Sequence, residues 1–210
     1  MQSLLALFLF LRHGQAKNNV ERILAGRTKG FPLTELGIQQ AEKIGDFLKP
    51  LNISKIYCSP IERAEQTARI VANKVDLGCD VDERLTEIDM GTFTGMRYDE
   101  MFEKHGNVFL KFYQGHPVVE NNGIETFSSV KKRILDMVDH CSRKHNEETI
   151  LLVTHMDPIK SIISTVLQPR PESLYEMIIR NASLTILKNE QSSFSMVAIN
   201  SMNSERYQQE

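Results

Sequence analysis

A chain of 210 residues with 41% hydrophobic content is of single-domain length and can bury roughly 70% of its unfolded surface without covalent staples. Its 25 Lys and Arg against 27 Asp and Glu leave a net charge of −2, which excludes the basic footprint of a nucleic-acid binder and leaves any pull on an anionic ligand to local charge. Cys58, Cys79 and Cys141 are odd in number, widely spaced and free of any C-x-x-C pattern, which argues against a disulfide framework or a zinc site and fits a reducing cytoplasm.

Residues 1–11 are apolar, yet no basic segment precedes the run and no small-residue cleavage site follows it. It is also far short of the ~20 apolar residues that span a bilayer, so a soluble, cytoplasmic protein with no membrane contact is expected. Residues 4–11 read instead as a strand buried on both faces, although periodicity alone leaves a buried helix open. The run stops at Arg12, His13 and Gly14, which puts charge at the carboxyl end of the strand, where open parallel sheets place their ligand crevices. Gly14 is expected to allow a sharp turn and to leave room for an anion beside the backbone.

In the polar loop that follows, Arg22 and Lys29 read as solvated. Thr34 is the predicted N-cap of a helix to about Leu48, packing through Ala41, Ile44, Phe47 and Leu48. Ile53–Cys58 is a second strand, after which Ser59 suits an N-cap and Pro60 the first position of another helix. Arg63 then opposes the positive end of that helix, so either an anion lies between them or Glu62 and Glu65 neutralise it. Of the acids Asp82, Glu83, Glu87 and Asp89, the pattern by itself ranks none as functional. Two short helical pieces, Tyr98–Lys104 and Val108–Tyr113, and the polar turn Glu120–Gly123 interrupt the alternation; Phe109, Phe112 and Tyr113 wall a pocket or, more simply, form a local core. His105 and His116 read as surface residues.

Thr126 caps a long amphipathic helix whose buried face runs from Phe127 through Val130, Ile134, Met137 and Val138 to Cys141, with Lys131, Lys132 and Arg133 on the solvated side. His140 and His145 fall on different faces, against a metal pair. Thr149–Thr154 repeats the first strand and stops at His155, after which Asp157 and Pro158 read as N-cap and first position of a helix to Leu167. Ser183–Lys188 and Phe194–Ile199 form a final strand pair, and residues 203–210 a disordered polar tail. The expected fold is α/β, a mainly parallel sheet flanked by helices on both faces, one domain over residues 1–202, with strands that bring His13, Arg63 and His155 to one edge.

Several of these segments form one pattern. Arg12-His13-Gly14 with Asn19, Gly26-Arg27-x-x-Gly30-x-Pro32-Leu33-Thr34-x-x-Gly37, Ser59-Pro60-x-x-Arg63-Ala64-x-x-Thr67-Ala68, Glu87-x-x-x-Gly91-x-x-x-Gly95 and the second strand-bound His155 occur in the order, and over residues 7–190, in which the chain resembles the histidine phosphatase superfamily, also called phosphoglycerate mutase-like. The resemblance implies that His13 is the phosphate-accepting nucleophile and Glu87 the proton donor, and that Arg12, Arg63 and His155 hold the phosphoryl group. It further implies that Asn19 donates to it, that backbone near Gly26 and Met156 adds contacts, and that residues 96–125 are a small helical lid setting selectivity. Met156 is a departure, since the family commonly has glycine there.

The function so implied is that of the phosphatase branch, a metal- and cofactor-independent phosphomonoesterase acting through a phosphohistidine on small phosphorylated metabolites. Arginines beside His13 would favour its neutral, attacking form. The rival is a 2,3-bisphosphoglycerate-dependent phosphoglycerate mutase, against which the short Asp89–Gly95 stretch speaks; a catalytically silent phosphate-binding scaffold is the third reading. The sequence fixes neither the phosphoester nor whether the chain is a homodimer.

Overall fold

A computed structural model describes residues 5–145, 147–190 and 193–201; the expected polar tail lies outside them. The first apolar run is a strand, β1 (Leu5–Arg12). Its alternate residues serve two cores: Phe8 and Phe10 face one helical layer, Leu9 and Leu11 the other, all at most 1% exposed. Then follow α1 (Lys17–Glu21), α2 (Glu35–Leu48), β2 (Ile53–Cys58), α3 (Glu62–Val75) and β3 (Cys79–Val81). The inserted lobe holds α4 (Tyr98–His105), α5 (Val108–Tyr113) and α6 (Val118–Asn121). The chain continues through α7 (Phe127–Lys144), β4 (Thr149–Thr154), α8 (Met156–Leu167), α9 (Pro171–Glu176), β5 (Leu184–Glu190) and β6 (Ser193–Ser201).

The sheet order is β3-β2-β4-β1-β5-β6, with the first four strands parallel and the last two antiparallel, so the sheet is mixed and mostly parallel. Helices α2 and α3 cover one face through Ile44, Leu48, Ala64, Ala68 and Val71; α7 and α8 cover the other through Ile134, Met137, Ile159 and Ile162. Thr34 and Thr126 cap α2 and α7 as expected, accepting from Gly37 N at 3.1 Å and Ser129 N at 3.2 Å. No helix among the described residues is long and apolar enough to cross a membrane.

Three local expectations are corrected. Helix α3 starts at Glu62 behind Ile61 rather than at Pro60, and α8 starts at Met156 behind an extended His155 rather than behind Asp157. In both cases the side chain suited to capping is engaged elsewhere: Ser59 bonds His155, and Asp157, 2% exposed, accepts from the Tyr113 hydroxyl. The space beside Gly14 does not await an anion: a Cβ there would stand 2.4 Å from Gly37 O, and one on Gly37 would stand 2.0 Å from Gln15 O. These glycines let the loop after β1 and the first turn of α2 pack backbone to backbone.

A similar contact joins the loop after Glu87 to the lid. Gly91, at φ +51°, is so close that a Cβ would stand 2.2 Å from Asn122 O; Thr92 N donates to Asn122 O at 3.0 Å and Glu125 N to Asp89 O at 3.0 Å.

Candidate active site

Because β2, β4 and β1 are parallel neighbours, the residues that follow them arrive together. His13 N donates to Thr154 O and Ser59 N to Val153 O, each at 3.0 Å, and His13, Ser59, Arg63 and His155 are all at most 2% exposed. The rings of His13 and His155 meet edge-on with centroids 5.1 Å apart.

A carbonyl partner fixes the tautomer of His13. His13 Nδ1 lies 2.7 Å from Gly14 O, which can only accept, so Nδ1 carries the proton and Nε2 keeps a lone pair, toward which Arg63 Nε donates at 3.2 Å. Ser59 Oγ accepts from Ile61 N at 3.2 Å and sits 2.8 Å from His155 Nε2, a hydrogen bond that either atom can donate. Among the described residues His155 Nδ1 has no partner, and neither do Arg12 Nε and Arg63 Nη1, although all three are buried. Unmatched buried polar groups cost about 1–3 kcal/mol each, more when charged, and two unpaired guanidinium N–H groups beside an imidazole suit an oxyanion with several acceptor oxygens.

The neutralisation reading of Arg63 does not hold. Glu62 accepts from Gly30 N and Glu65 pairs with Arg69, whereas Arg63 donates to Gly26 O at 2.9 Å and to His13. The carbonyl of Gly26 thus steadies Arg63. Arg12 donates to Ile179 O, and Asn181, on the same connecting segment, donates to His13 O at 3.1 Å and to Asn19 Oδ1 at 3.3 Å. Since Asn19 Oδ1 also caps Ala16 N at 2.9 Å, the amide of Asn19 is pinned by its oxygen and its NH2 is the end left to donate.

Burial is the first cause of every large electrostatic perturbation here. It holds His13 well below the usual imidazole range, with Arg63 and then Arg12 adding to it, and does the same to His155. The arginines therefore reinforce what desolvation begins. Arg63 falls to about 10 through burial, partly offset by Glu87, and remains a cation at neutral pH. Glu87 is raised to about 7, by burial first and the Asp157 carboxylate second, against the pull of Arg63 and Arg12. Glu83 is exposed, so the structure makes the distinction between the two acids that the pattern could not.

Arg133 is not on a solvated face. It donates to Thr86 O at 2.6 Å, Arg84 O at 2.7 Å and Glu125 at 2.8 Å, and reaches Glu87 O at 3.4 Å; Arg27 donates to Glu87 O at 3.0 Å and to Glu125 at 2.8 Å. Two arginines bridged by Glu125 thus hold the backbone of Glu87. Beside the constellation opens a cavity of about 630 Å³, lined among others by Asn19, Met156, Lys160, Tyr98, Tyr113 and Tyr175. Met156, the first residue of α8, lies on this cavity, and of the three lid aromatics Phe109 and Tyr113 line it while Phe112 is core. His140 and His145 both meet Tyr57 edge-on, and among the described residues no three His, Cys, Asp or Glu side chains are placed to hold a metal.

Ser59, Asp157, Arg133 and Asn181 are the site residues missed by sequence reasoning. Ser59 and Asp157 carry a local signal that suits capping; a lone asparagine between two elements carries none.

Comparison with known proteins agrees with this geometry. A "2,3-bisphosphoglycerate-dependent phosphoglycerate mutase" of Thermoplasma acidophilum is 34% identical over 182 residues, covering 85% of each chain. "Phosphoserine phosphatase 1" of Hydrogenobacter thermophilus is 26% identical over 186 residues, covering 87% of this chain and 86% of its own. The solved structure of Bacillus stearothermophilus YhfR superposes with a TM-score of 0.83 at 30% identity, covering 92% of this chain and 96% of that one. The model of the histidine phosphatase superfamily (branch 1) matches residues 8–202, and the chain belongs to that superfamily.

Proposed function

We propose that the protein is a phosphomonoesterase of small phosphorylated metabolites that works through a phosphohistidine, with Arg12 and Arg63 supplying the charge that a metal would otherwise bring and His155 a neutral imidazole beside them. The observation that carries the reading is the unprotonated Nε2 of His13 set beside the buried Arg12 Nε, Arg63 Nη1 and His155 Nδ1, which have no partners among the described residues. Nε2 attacks phosphorus in line as the ester P–O bond breaks, and the protonated Glu87 gives its proton to the departing alkoxide. Water then attacks the phosphohistidine, Glu87 takes the proton of that water, and cleavage of the P–N bond returns the lone pair to Nε2. The start of α8 beside His155 adds the positive end of a helix to the cations.

The test is a phosphate-release screen of wild type against His13→Ala, joined to rapid-quench labelling with a radiolabelled ester. Expected are an alkali-stable, acid-labile label on His13 and loss of about a thousandfold or more of turnover in the variant. Label on another residue, or none, overturns the reading.

A second reading, mutase action, is favoured by the Thermoplasma relative. Against it, the lid turns aromatic rings rather than cations toward the cavity: Lys104 pairs with Glu100, and Lys111 donates to His105 O. Interconversion of 3-phosphoglycerate and 2-phosphoglycerate primed by 2,3-bisphosphoglycerate, with negligible phosphate release, would make this the better reading.

A further inference from the structure

Lys160 is the buried charged residue on the cavity wall, and the proposed reaction does not use it. It sits on α8, five positions beyond His155, and is 2% exposed. Its ammonium donates to Tyr175 O at 3.2 Å and lies 4.9 Å from the centre of the Tyr113 ring, and among the described residues it makes no ion pair. A buried cation without an ion-pair partner is costly to keep, and among the described residues its ammonium finds one acceptor for three N–H groups. The nearby Asp157 attracts it but forms no ion pair with it among the described residues, its carboxylate accepting from the Tyr113 hydroxyl. Burial accordingly lowers Lys160 to about 8, with Asp157 pulling the other way.

The position of Lys160 separates it from the phosphoryl-holding groups. His13, Arg63 and His155 do not line the cavity; Lys160 does, with Asn19 and Met156 forming the border between the two spaces. The phosphoryl group belongs with the unpaired donors, so the alcohol half of a phosphoester occupies the cavity. Its wall offers aromatic and aliphatic surface and this buried ammonium; the other charged residues that line it are Arg22, already paired with Asp99, and Glu176, which is exposed. Asn18 adds a buried Oδ1 that has no partner among the described residues.

We propose that Lys160 is the residue that selects the substrate, by pairing with a carboxylate carried on the alcohol half of the phosphoester. A carboxylate is favoured over a second phosphoryl group on charge: one ammonium balances one negative charge, and a buried dianion would leave an excess. The inference rests on the phosphatase reading only in assuming that a phosphoester binds with its phosphoryl group at His13.

The experiment compares ester pairs that differ in the carboxylate, O-phospho-L-serine with O-phosphoethanolamine and 3-phosphoglycerate with glycerol 3-phosphate. It does so in wild type, Lys160→Met, Lys160→Gln and Lys160→Arg. The same pairs are titrated calorimetrically onto His13→Ala, so that preference is read even if no ester turns over. Expected is a preference of about ten- to a hundredfold for the carboxylated member in wild type, collapse of that ratio toward one in Lys160→Met and Lys160→Gln, and partial retention in Lys160→Arg. A wild-type ratio near one, equal losses for both members in the variants, or a stronger preference for propane-1,3-diyl bisphosphate over propyl phosphate overturns the inference. None of these outcomes bears on whether His13 is phosphorylated. Failure of His13 to take label leaves the binding ratios to decide Lys160.

Discussion

Glu87 at about 7 is poised to exist in both protonation states near neutrality, which is what a group asked first to give and then to take a proton requires. The sign of the pH dependence follows. The acid form exists below about 7, so kcat/KM for esters with poor leaving groups should fall about tenfold per pH unit above it, while His13 and His155, held well below the usual imidazole range, put the acid limb far lower. Asp157 raises Glu87 by like-charge repulsion, so Asp157→Asn should move the alkaline limb to lower pH, measurable as a shifted pH–rate profile. Glu87→Gln should slow alkyl phosphates by about 10²–10⁴ and aryl phosphates with good leaving groups far less. Equal losses on both classes would remove Glu87 from the acid role.

Elements matter here mainly through how they hold short pieces of backbone. The bridge of Arg133 and Arg27 through Glu125 fastens the carbonyl of Glu87, so Arg133→Met should lower kcat by about ten- to a hundredfold, with a smaller change in KM, because the acid is displaced while the phosphoryl-binding donors stay. Steady-state kinetics on a poor leaving group reads this directly. On the opposite side of β1, Gly37→Ala would drive a Cβ into Gln15 O. A cost of about 1–3 kcal/mol is expected, seen as a lowered thermal midpoint together with reduced turnover, since the loop that must move begins at His13.

Considered as a whole, the molecule concentrates unsatisfied cations at one edge of its sheet, so an oxyanion should stabilise it: at a hundredfold excess over its dissociation constant, orthovanadate should add about 2.7 kcal/mol, visible as a raised thermal midpoint in wild type and absent in Arg63→Ala. That such an edge exists was legible in the amino-acid order, because three predicted strands stop at Arg12-His13, Ser59 or His155 and a parallel sheet brings such stops together. What was not legible depended on partners far along the chain. Ser59 and Asp157 are good capping residues, and nothing near them announces that His155 and Tyr113 will engage their side chains. Arg133 reads as solvated because helical periodicity knows the faces of a helix but not the loop that will lie over one of them. Glu87 and Glu83 differ only once the fold buries one of them, and the short elements β3, α1, α6 and α9 are too brief to show a period.

The backbone contact between Gly91 and the turn at Asn122 carries a lesson for anyone reshaping this scaffold. A transplant that exchanges only the helices of the inserted lobe for those of a homologue would inherit a seam cut for a different neighbour, and the misfit would be transmitted to the carboxyl group of Glu87, the proposed proton donor. Residues 87–125 should therefore travel as one cassette, with the splice points placed outside them.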